Sequence, residues 1–160
     1  LIESLWAGFR VQDKLTDSVT PQPWRLCKRV LPQHTDHAGV MWHGAYVAWL
    51  EEARVEALAA AGLSYSAMAA MGVEMPVVAM NLEYRRSIRH GDQIVLESHC
   101  GSQSGVRWPW RSCFLLDGRV MAEARVELVI LGRGRLLRQP PEAVRPALSA
   151  LQGGPSNALE

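Results

Sequence analysis

The chain has 160 residues, of which 48% are hydrophobic and 21% charged, and this composition predicts one domain with a well-filled core. Seventeen lysines and arginines nearly balance 16 aspartates and glutamates, and a net charge of +1 argues against a nucleic-acid-binding protein. No apolar run approaches the ~18 residues that a membrane span needs. Cys27, Cys100 and Cys113 show neither a metal-binding spacing nor the even number of a disulfide framework. Because the start of the chain also lacks a signal-peptide pattern, we expect a cytoplasmic protein.

The first half of the chain is predicted to hold one strand and one long helix. Residues 1–23 show no clear periodicity and are interpreted as an N-terminal extension. Residues 24–31 alternate as a strand that Pro32 ends. Residues 44–61 then carry an apolar stripe at helical spacing, with charged side chains off that stripe. The stripe consists of Tyr46, Leu50, Ala53 and Ala57, and the charged positions are Glu52, Arg54 and Glu56.

The second half of the chain is predicted to be mainly β-structure. Ser64 is expected to cap a short helix that ends near Gly72, and from there the hydrophobic pattern has a period of two. The pair Asp117-Gly118 between two alternating segments predicts a tight hairpin. Pro109 lacks an N–H group and therefore predicts a bulge or a sheet edge. The four predicted strands cover residues 76–84, 93–100, 105–116 and 119–131.

Together these elements predict an α+β domain. An 18-residue helix extends about 27 Å, and strands of about nine residues extend about 30 Å. A mostly antiparallel sheet of five strands can therefore wrap around the long helix, which is the hotdog fold. We assign this domain to residues 24–131. Residues 132–160 are rich in Gly, Pro and Ala and are predicted to form a partly disordered C-terminal tail.

The polar loop before the long helix contains the candidate chemistry. It reads Thr35-Asp36-x-Ala38-Gly39-Val40-x-x-His43-x-x-Tyr46 and is followed by Glu51-Glu52-Ala53-Arg54. This motif resembles the acyl-CoA thioesterases of the 4-hydroxybenzoyl-CoA thioesterase type, and its histidine variant resembles the branch that includes the Tol–Pal-associated thioesterases. A second segment resembles the strand and turn that follow the helix in that family: Leu82-x-Tyr84-Arg85-Arg86-x-x-Arg89-x-Gly91-Asp92.

Hydrolysis of a thioester needs a nucleophile or general base, and donors for the oxyanion that develops. The resemblance assigns Asp36 as the catalytic carboxylate and places the polarising amide near His43. A helix start suits that second role because its N–H groups are free and its dipole is positive. We interpret Gly39, Trp42 and Gly44 as the surrounding turn and oxyanion segment. Whether Asp36 attacks directly or activates water stays open, and an ordinary turn-capping role is the structural alternative.

Other acidic residues and histidines have simpler interpretations. His34, Asp36 and His37 are metal-ligand types, but no HExxH and no paired cysteine completes a site. We therefore predict no metal and no cofactor. Three helix residues occupy the region where some relatives of the fold place a catalytic carboxylate, although a solvated helix face explains them more simply: Glu51, Glu52 and Glu56.

Two arginine clusters are candidates for binding the phosphates of coenzyme A, because guanidinium groups bind phosphate bidentately. The first lies beside the predicted turn at Gly91, and we predict that Arg85, Arg86 and Arg89 contact the nucleotide. An ordinary charged surface is the alternative for each. The second cluster follows the last predicted strand and consists of Arg133, Arg135 and Arg138.

The sequence therefore predicts an acyl-CoA thioesterase that acts on an aromatic or short-chain acyl-CoA as a homodimer or homotetramer. The resemblance extends to the 1,4-dihydroxy-2-naphthoyl-CoA hydrolases of quinone synthesis. One alternative is a non-enzymatic acyl-CoA sensor, which would lack the carboxylate at Asp36. Another is a hotdog hydratase or dehydratase, which would need a different pairing of acid and histidine. Four tryptophans fill the core or line an acyl pocket: Trp42, Trp49, Trp108 and Trp110.

Overall fold

A five-stranded antiparallel sheet and one long helix make up most of the structure, a computed structural model that describes residues 21–156. No helix of this described part is long and apolar enough to cross a membrane. The helices are α1 (His43–Ala60), α2 (Tyr65–Ala70) and α3 (Arg145–Gly153). The strands are β1 (Trp24–Arg29), β2 (Val73–Glu74), β3 (Val77–Tyr84), β4 (Gln93–Cys100), β5 (Trp108–Leu116), β6 (Arg119–Leu128), β7 (Leu131–Gly132) and β8 (Arg135–Leu136).

The main sheet has the strand order β1-β4-β5-β6-β3, so β1 and β3 form its two edges. All four strand pairs are antiparallel. The predicted hairpin joins β5 to β6, and Asp117 there has φ +49°, as the tight turn requires. Among the described residues, strand β3 pairs with β6 on one side only. Its other side leaves backbone N–H and C=O groups open beside exposed apolar side chains, namely Val77, Val78, Met80 and Tyr84.

Helix α1 lies against the sheet through the apolar stripe that the sequence predicts. Tyr46, Leu50, Ala53 and Ala57 are all buried, and α1 contacts β1 and β4. The hotdog arrangement is thereby confirmed. One residue of the helix contradicts the pattern, because Arg54 is also buried although the sequence places it off the stripe.

The irregularity expected at Pro109 lies elsewhere. Strand β5 is an interior strand, and the register shift between β5 and β6 falls between Phe114 and Leu115. Pro109 instead lies opposite Gly101, one residue past the end of β4, and its carbonyl accepts from the Gly101 N–H at 2.8 Å. The Gly101 carbonyl, for which Pro109 has no donor, accepts from Gln152 Nε2 at 3.1 Å.

The C-terminal segment differs from the predicted tail. Strands β7 and β8 join β2 in a small sheet of order β2-β7-β8, and α3 contacts α1 and β4. Ala147, Leu148 and Leu151 of α3 are buried, and Trp24 Nε1 donates to the Leu151 carbonyl at 2.8 Å. The domain therefore continues past Leu131 and includes α3, because these spaced apolar residues complete the core. The remainder of the predicted extension and tail lies outside the described residues.

Candidate active site

An open groove with a volume of about 1040 Å³ lies where the polar loop meets the start of α1. Three residues that the sequence singles out, Asp36, Trp42 and His43, line it together. The end of the edge strand β3 contributes Tyr84 to the same wall. The remaining lining residues come from the loop and are Gln33, Thr35, His37 and Met41.

Backbone hydrogen bonds give the loop a defined conformation. Asp36 N donates to the Val40 carbonyl at 2.8 Å, and Gly39 N donates to the Asp36 carbonyl at 3.0 Å. Gly39 has φ +72°, a conformation that residues with a Cβ rarely adopt. The loop is also attached to the chain after β3, because Met41 N donates to the Ile88 carbonyl at 2.8 Å. Gly39 therefore lies in the turn that presents Asp36 next to the helix start.

The Asp36 carboxylate is held through one of its oxygens. Its Oδ1 accepts from Ala38 N at 2.8 Å and from Val40 N at 3.2 Å. Within residues 21–156, Oδ2 has no hydrogen-bond partner. The side chain is thus oriented by the loop backbone while one oxygen stays available to a reactant in the groove.

The start of α1 supplies donors to the same groove. Trp42 occupies the N-cap position but makes no side-chain cap, and Ala45 N donates back to the Trp42 carbonyl at 2.9 Å. The N–H groups of His43 and Gly44 have no acceptor in the described part of the chain. Uncapped amides at a helix start carry partial positive charge and attract a developing anion.

The far end of the Trp42 ring occupies the space beside Gly44. A Cβ atom at residue 44 would lie 2.1 Å from Trp42 Cη2, which is far inside van der Waals contact. The ring passes over the first turn of the helix and meets the His43 ring edge-on at a centroid distance of 5.2 Å. A glycine here therefore lets an aromatic side chain cover the helix start.

Tyr46 lies beside this region and packs against other aromatic side chains. Its ring contacts Tyr84 and Phe114 edge-on at 5.1 and 5.0 Å. Burial, with the neighbouring Tyr84, raises the pKa of Tyr46 to about 12. The phenol is therefore neutral near pH 7.

Comparison with known proteins places this architecture in a family. A family model described as the thioesterase-like superfamily matches residues 30–148. The chain belongs to the thioesterase-like superfamily. The sll0410 protein of Synechocystis sp., whose name assigns it provisionally to the esterases, is 33% identical over 146 residues, which cover 89% of this chain and 88% of that protein.

Two further relatives support the same assignment. The acyl-CoA thioester hydrolase YbgC of Escherichia coli O6:H1 is 35% identical over 77 residues, covering 48% of this chain and 58% of that protein. The crystal structure of a hypothetical protein, TT1821 from Thermus thermophilus, superimposes with a TM-score of 0.72 at 31% identity. That match covers 79% of this chain and 98% of the other. The chain is therefore a hotdog-fold member of a superfamily of thioester hydrolases.

The structure of this thioesterase-superfamily member separates the three predicted CoA-binding arginines. Arg85 forms ion pairs with Glu83 at 2.7 Å and Glu123 at 2.9 Å, and the hydrogen bond to Glu123 raises the pKa of the guanidinium. Arg89 lies beside the site loop, because its backbone forms a bridge with Val40. Arg86 is exposed. Among the described residues, the guanidinium groups of Arg86 and Arg89 have no carboxylate partner, whereas the backbone N–H of Arg89 donates to Asp92 Oδ2 at 2.8 Å.

The other predicted polar groups have structural partners. His34 Nδ1 accepts from Leu31 N at 3.0 Å, so it belongs to the loop framework. Glu52 forms an ion pair with Lys28 at 2.6 Å. Between residues 21 and 156, no three side chains of His, Cys, Asp or Glu lie close enough to hold a metal ion. Of the second arginine cluster, Arg135 lies on β8 and Arg133 just before it at φ +48°.

A mainly apolar cavity near the middle of α1, with Arg54 and Glu51 in its wall, was missed by the sequence reasoning. It has a volume of about 300 Å³ and is lined by α1, α2 and the segment leading into β3. Arg54, with 6% of its surface exposed, donates through Nη2 to Glu51 and to the Tyr65 hydroxyl, the latter at 3.2 Å. A signal was present in the sequence, because Leu50 and Leu58 flank Arg54 four residues away on either side, and residues at that spacing share a helix face.

Proposed function

We propose that this protein hydrolyses the thioester of an aromatic or short-chain acyl-CoA to the free acid and CoA. The observation that supports this most directly is that a carboxylate with one unpartnered oxygen and an uncapped helix start line the same groove. The acyl-CoA thioester hydrolase YbgC among its relatives supports the same class of reaction. We place the enzyme in the cytoplasm, where its three free cysteines stay reduced.

In this proposal Asp36 acts by one of two routes. As a general base it takes a proton from a water molecule, whose oxygen adds to the carbonyl carbon. As a nucleophile, Oδ2 adds to that carbon, and water later hydrolyses the anhydride. In both routes the C–S bond breaks when the tetrahedral intermediate collapses, and the CoA thiolate leaves and takes up a proton. We assign the amides of His43 and Gly44 as donors to the carbonyl oxygen, where negative charge develops.

The two routes differ in their early kinetics. A nucleophilic Asp36 releases one equivalent of CoA before water attacks, so a pre-steady-state burst of thiol proportional to enzyme is expected when anhydride hydrolysis is slow. A general base gives no acyl-enzyme. Enzyme that is quenched during the burst, freed of acyl-CoA and then treated with hydroxylamine should release the acyl hydroxamate only in the nucleophilic route.

For the nucleotide, we propose contacts with Arg86 and Arg89, and a weaker one with Arg85. Arg89 adjoins the site loop through Val40, so a phosphate bound there lies on the same side of the sheet edge as the groove. Arg85 must exchange Glu83 and Glu123 for a phosphate, which reduces the gain from binding.

We further propose a homodimer in which β3 pairs with β3 of a second copy. The edge is eight residues long, holds no lysine or proline, and exposes Val78, Met80 and Tyr84, which makes it suited to pairing with a second copy; Glu83 is its one charged residue. Since Tyr84 lines the groove, a second copy would close one wall of the site. Met80→Glu is expected to yield monomers in sedimentation analysis, with loss of activity; an active monomer would contradict the dimer.

The decisive experiment is a hydrolysis screen over a panel of acyl-CoA thioesters with detection of the free thiol. The panel covers short aliphatic, long aliphatic and aromatic acyl groups, and CoA binding is measured in parallel by calorimetry. Turnover confined to aromatic or short-chain thioesters supports the proposal. CoA binding without turnover of any thioester would instead identify a sensor and would refute the enzyme.

A further inference from the structure

Two buried donors without partners line one enclosed cavity beneath α1. Within residues 21–156, Arg54 Nε and Trp110 Nε1 make no hydrogen bond, and their residues are 6% and 1% exposed. Leaving such groups unsatisfied is unfavourable, so the pair calls for an acceptor. Both residues line the same small cavity, whose other walls are mainly apolar, namely Leu58, Tyr65, Met75, Cys100, Trp108, Leu128 and Leu151.

The size and position of this inner cavity restrict what it accepts. The volume open to the centre of a water molecule is about 10 Å³, so the cavity has room for about one water-sized group. It shares Arg54, Tyr65 and Met75 with the 300 Å³ cavity described above, which is more open. Met75 is the flexible member of this shared wall. A ligand in the larger cavity can therefore reach the inner cavity, which both donor residues line, with a single terminal atom.

The local charge favours a neutral acceptor. Glu51 already pairs with Arg54, so the guanidinium charge is compensated before any ligand enters. A carboxylate in the inner cavity would add a buried negative charge without a partner, which is costly. A hydroxyl or keto oxygen accepts from both N–H groups without adding charge. The chemical class indicated is thus an acyl group that ends in a neutral oxygen.

Pairing of β3 with β3 of a second copy brings the 300 Å³ cavity of one subunit next to the Asp36 groove of the other. In an antiparallel pair that uses all eight residues, Val77 of one subunit lies opposite Tyr84 of the other, with Cα atoms about 5 Å apart. Val77 lines the 300 Å³ cavity, and Tyr84 lines the Asp36 groove. The cavity of one subunit therefore opens beside the groove of its partner.

We propose that the inner cavity, reached through the 300 Å³ cavity, receives the distal end of an acyl group. The thioester of that acyl group lies in the partner subunit's groove. Arg54 and Trp110 then determine specificity, because they favour acyl groups that carry a neutral acceptor oxygen at that end. The inference rests on the proposed thioesterase function and its dimer. It adds a specificity site that Asp36 and the helix start do not contain.

The test compares acyl-CoA pairs that differ by one distal hydroxyl, 6-hydroxyhexanoyl-CoA with hexanoyl-CoA and 3-hydroxybenzoyl-CoA with benzoyl-CoA. The native enzyme is expected to prefer the hydroxylated member of at least one pair about tenfold in kcat/KM. Trp110→Phe keeps the apolar ring but removes the donor, so the preference should fall to about onefold. Trp108→Phe removes similar volume from the same wall and should keep the ratio. Arg54→Lys keeps the charge beside Glu51 but removes the Nε donor. If Trp110→Phe does not fold, Arg54→Lys takes its place as the variant in which the preference should fall.

Binding is measured separately so that failure of the function and failure of the site are distinguishable. In ¹H–¹⁵N spectra, the Trp110 indole signal, assigned by its loss in Trp110→Phe, should shift when 6-hydroxyhexanoate or 3-hydroxybenzoate is added and stay fixed with the unsubstituted acids. A shift without any thioester turnover refutes the proposed function and keeps the site. Three results would refute the site. An indole signal that does not move would mean that the cavity holds only a resident water. The other two are equal kcat/KM for both members of each acyl-CoA pair, and an equal loss of the preference in Trp108→Phe.

Discussion

Replacement of Asp36 by asparagine removes the negative charge of the proposed catalytic residue while leaving its local framework in place. Oδ1 accepts from the amides of Ala38 and Val40, and the side-chain nitrogen of asparagine cannot accept a hydrogen bond. The asparagine oxygen should therefore occupy the Oδ1 position, so that its NH₂ group takes the place of Oδ2 in the groove. The substitution changes the group that meets the substrate and keeps the turn.

The structure sets different magnitudes for stability and for catalysis. Two charge-assisted hydrogen bonds become neutral ones in an exposed loop, which should cost about 1 kcal/mol in total. For a protein of this size that loss lowers Tm by about 2–4 °C. Loss of a general base or nucleophile should lower kcat by about 10²–10⁴-fold, equivalent to about 3–5 kcal/mol. The effect on activity should thus exceed the effect on folding several-fold.

The assay combines thiol release under saturating acyl-CoA with a thermal melt of the same preparation. Asp117→Asn is the matched control, since it makes the same charge change in a hairpin turn at φ +49°, a conformation that asparagine tolerates. Its kcat should stay within twofold of the native value. A folded Asp36→Asn enzyme that retains kcat within threefold of native would show that Asp36 is only a turn cap.

Further changes test other parts of the structure. Gly44→Ala places a Cβ atom against the Trp42 ring and must displace the ring, so kcat/KM should fall at least tenfold. Tm should change little, because alanine favours a helix. An unaltered kcat/KM would contradict a role for the helix start that the ring covers. Arg86→Ala and Arg89→Ala should each raise KM several-fold for acyl-CoA but not for the acyl-pantetheine, with a smaller effect at high salt. Burial lowers the pKa of His99 below 6.5, so the unfolded chain binds the proton more readily, and the free energy of unfolding should decrease as pH falls below about 6.5. His99→Gln should flatten that decrease in urea titrations at several pH values.

The elements with strong local periodicity were predictable from the sequence. Strand β4 has the predicted bounds, residues 93–100, and the Asp117-Gly118 hairpin joins β5 and β6 as expected. Ser64 caps α2 through a hydrogen bond from Ala67 N, again as predicted. Each of these features depends on neighbouring residues, which is why a single sequence contains enough information to find them.

Features that depend on distant partners were not predictable in the same way. The strand order arises from pairing across the chain, and α3 was hidden because Pro146 and nearby glycines outweighed its three buried apolar residues. At the site, the motif pointed to Asp36 and His43, which line one groove. The ion pairs of Arg85 with Glu83 and Glu123 could not be predicted, because no pattern of neighbouring residues indicates them. The unpartnered donors also require three-dimensional packing, since they lie on α1 and β5.

The contact between Trp24 and Leu151 bears on how this chain folds during its synthesis. The hydrogen bond from Trp24 Nε1 to the Leu151 carbonyl joins residues 127 positions apart, and Leu151 also closes the cavity beneath α1. A ribosome that has released all eight strands has therefore not yet supplied the last part of the core. The nascent domain should expose that apolar surface until α3 emerges, so its final folding step waits for residues 145–153 to leave the ribosome.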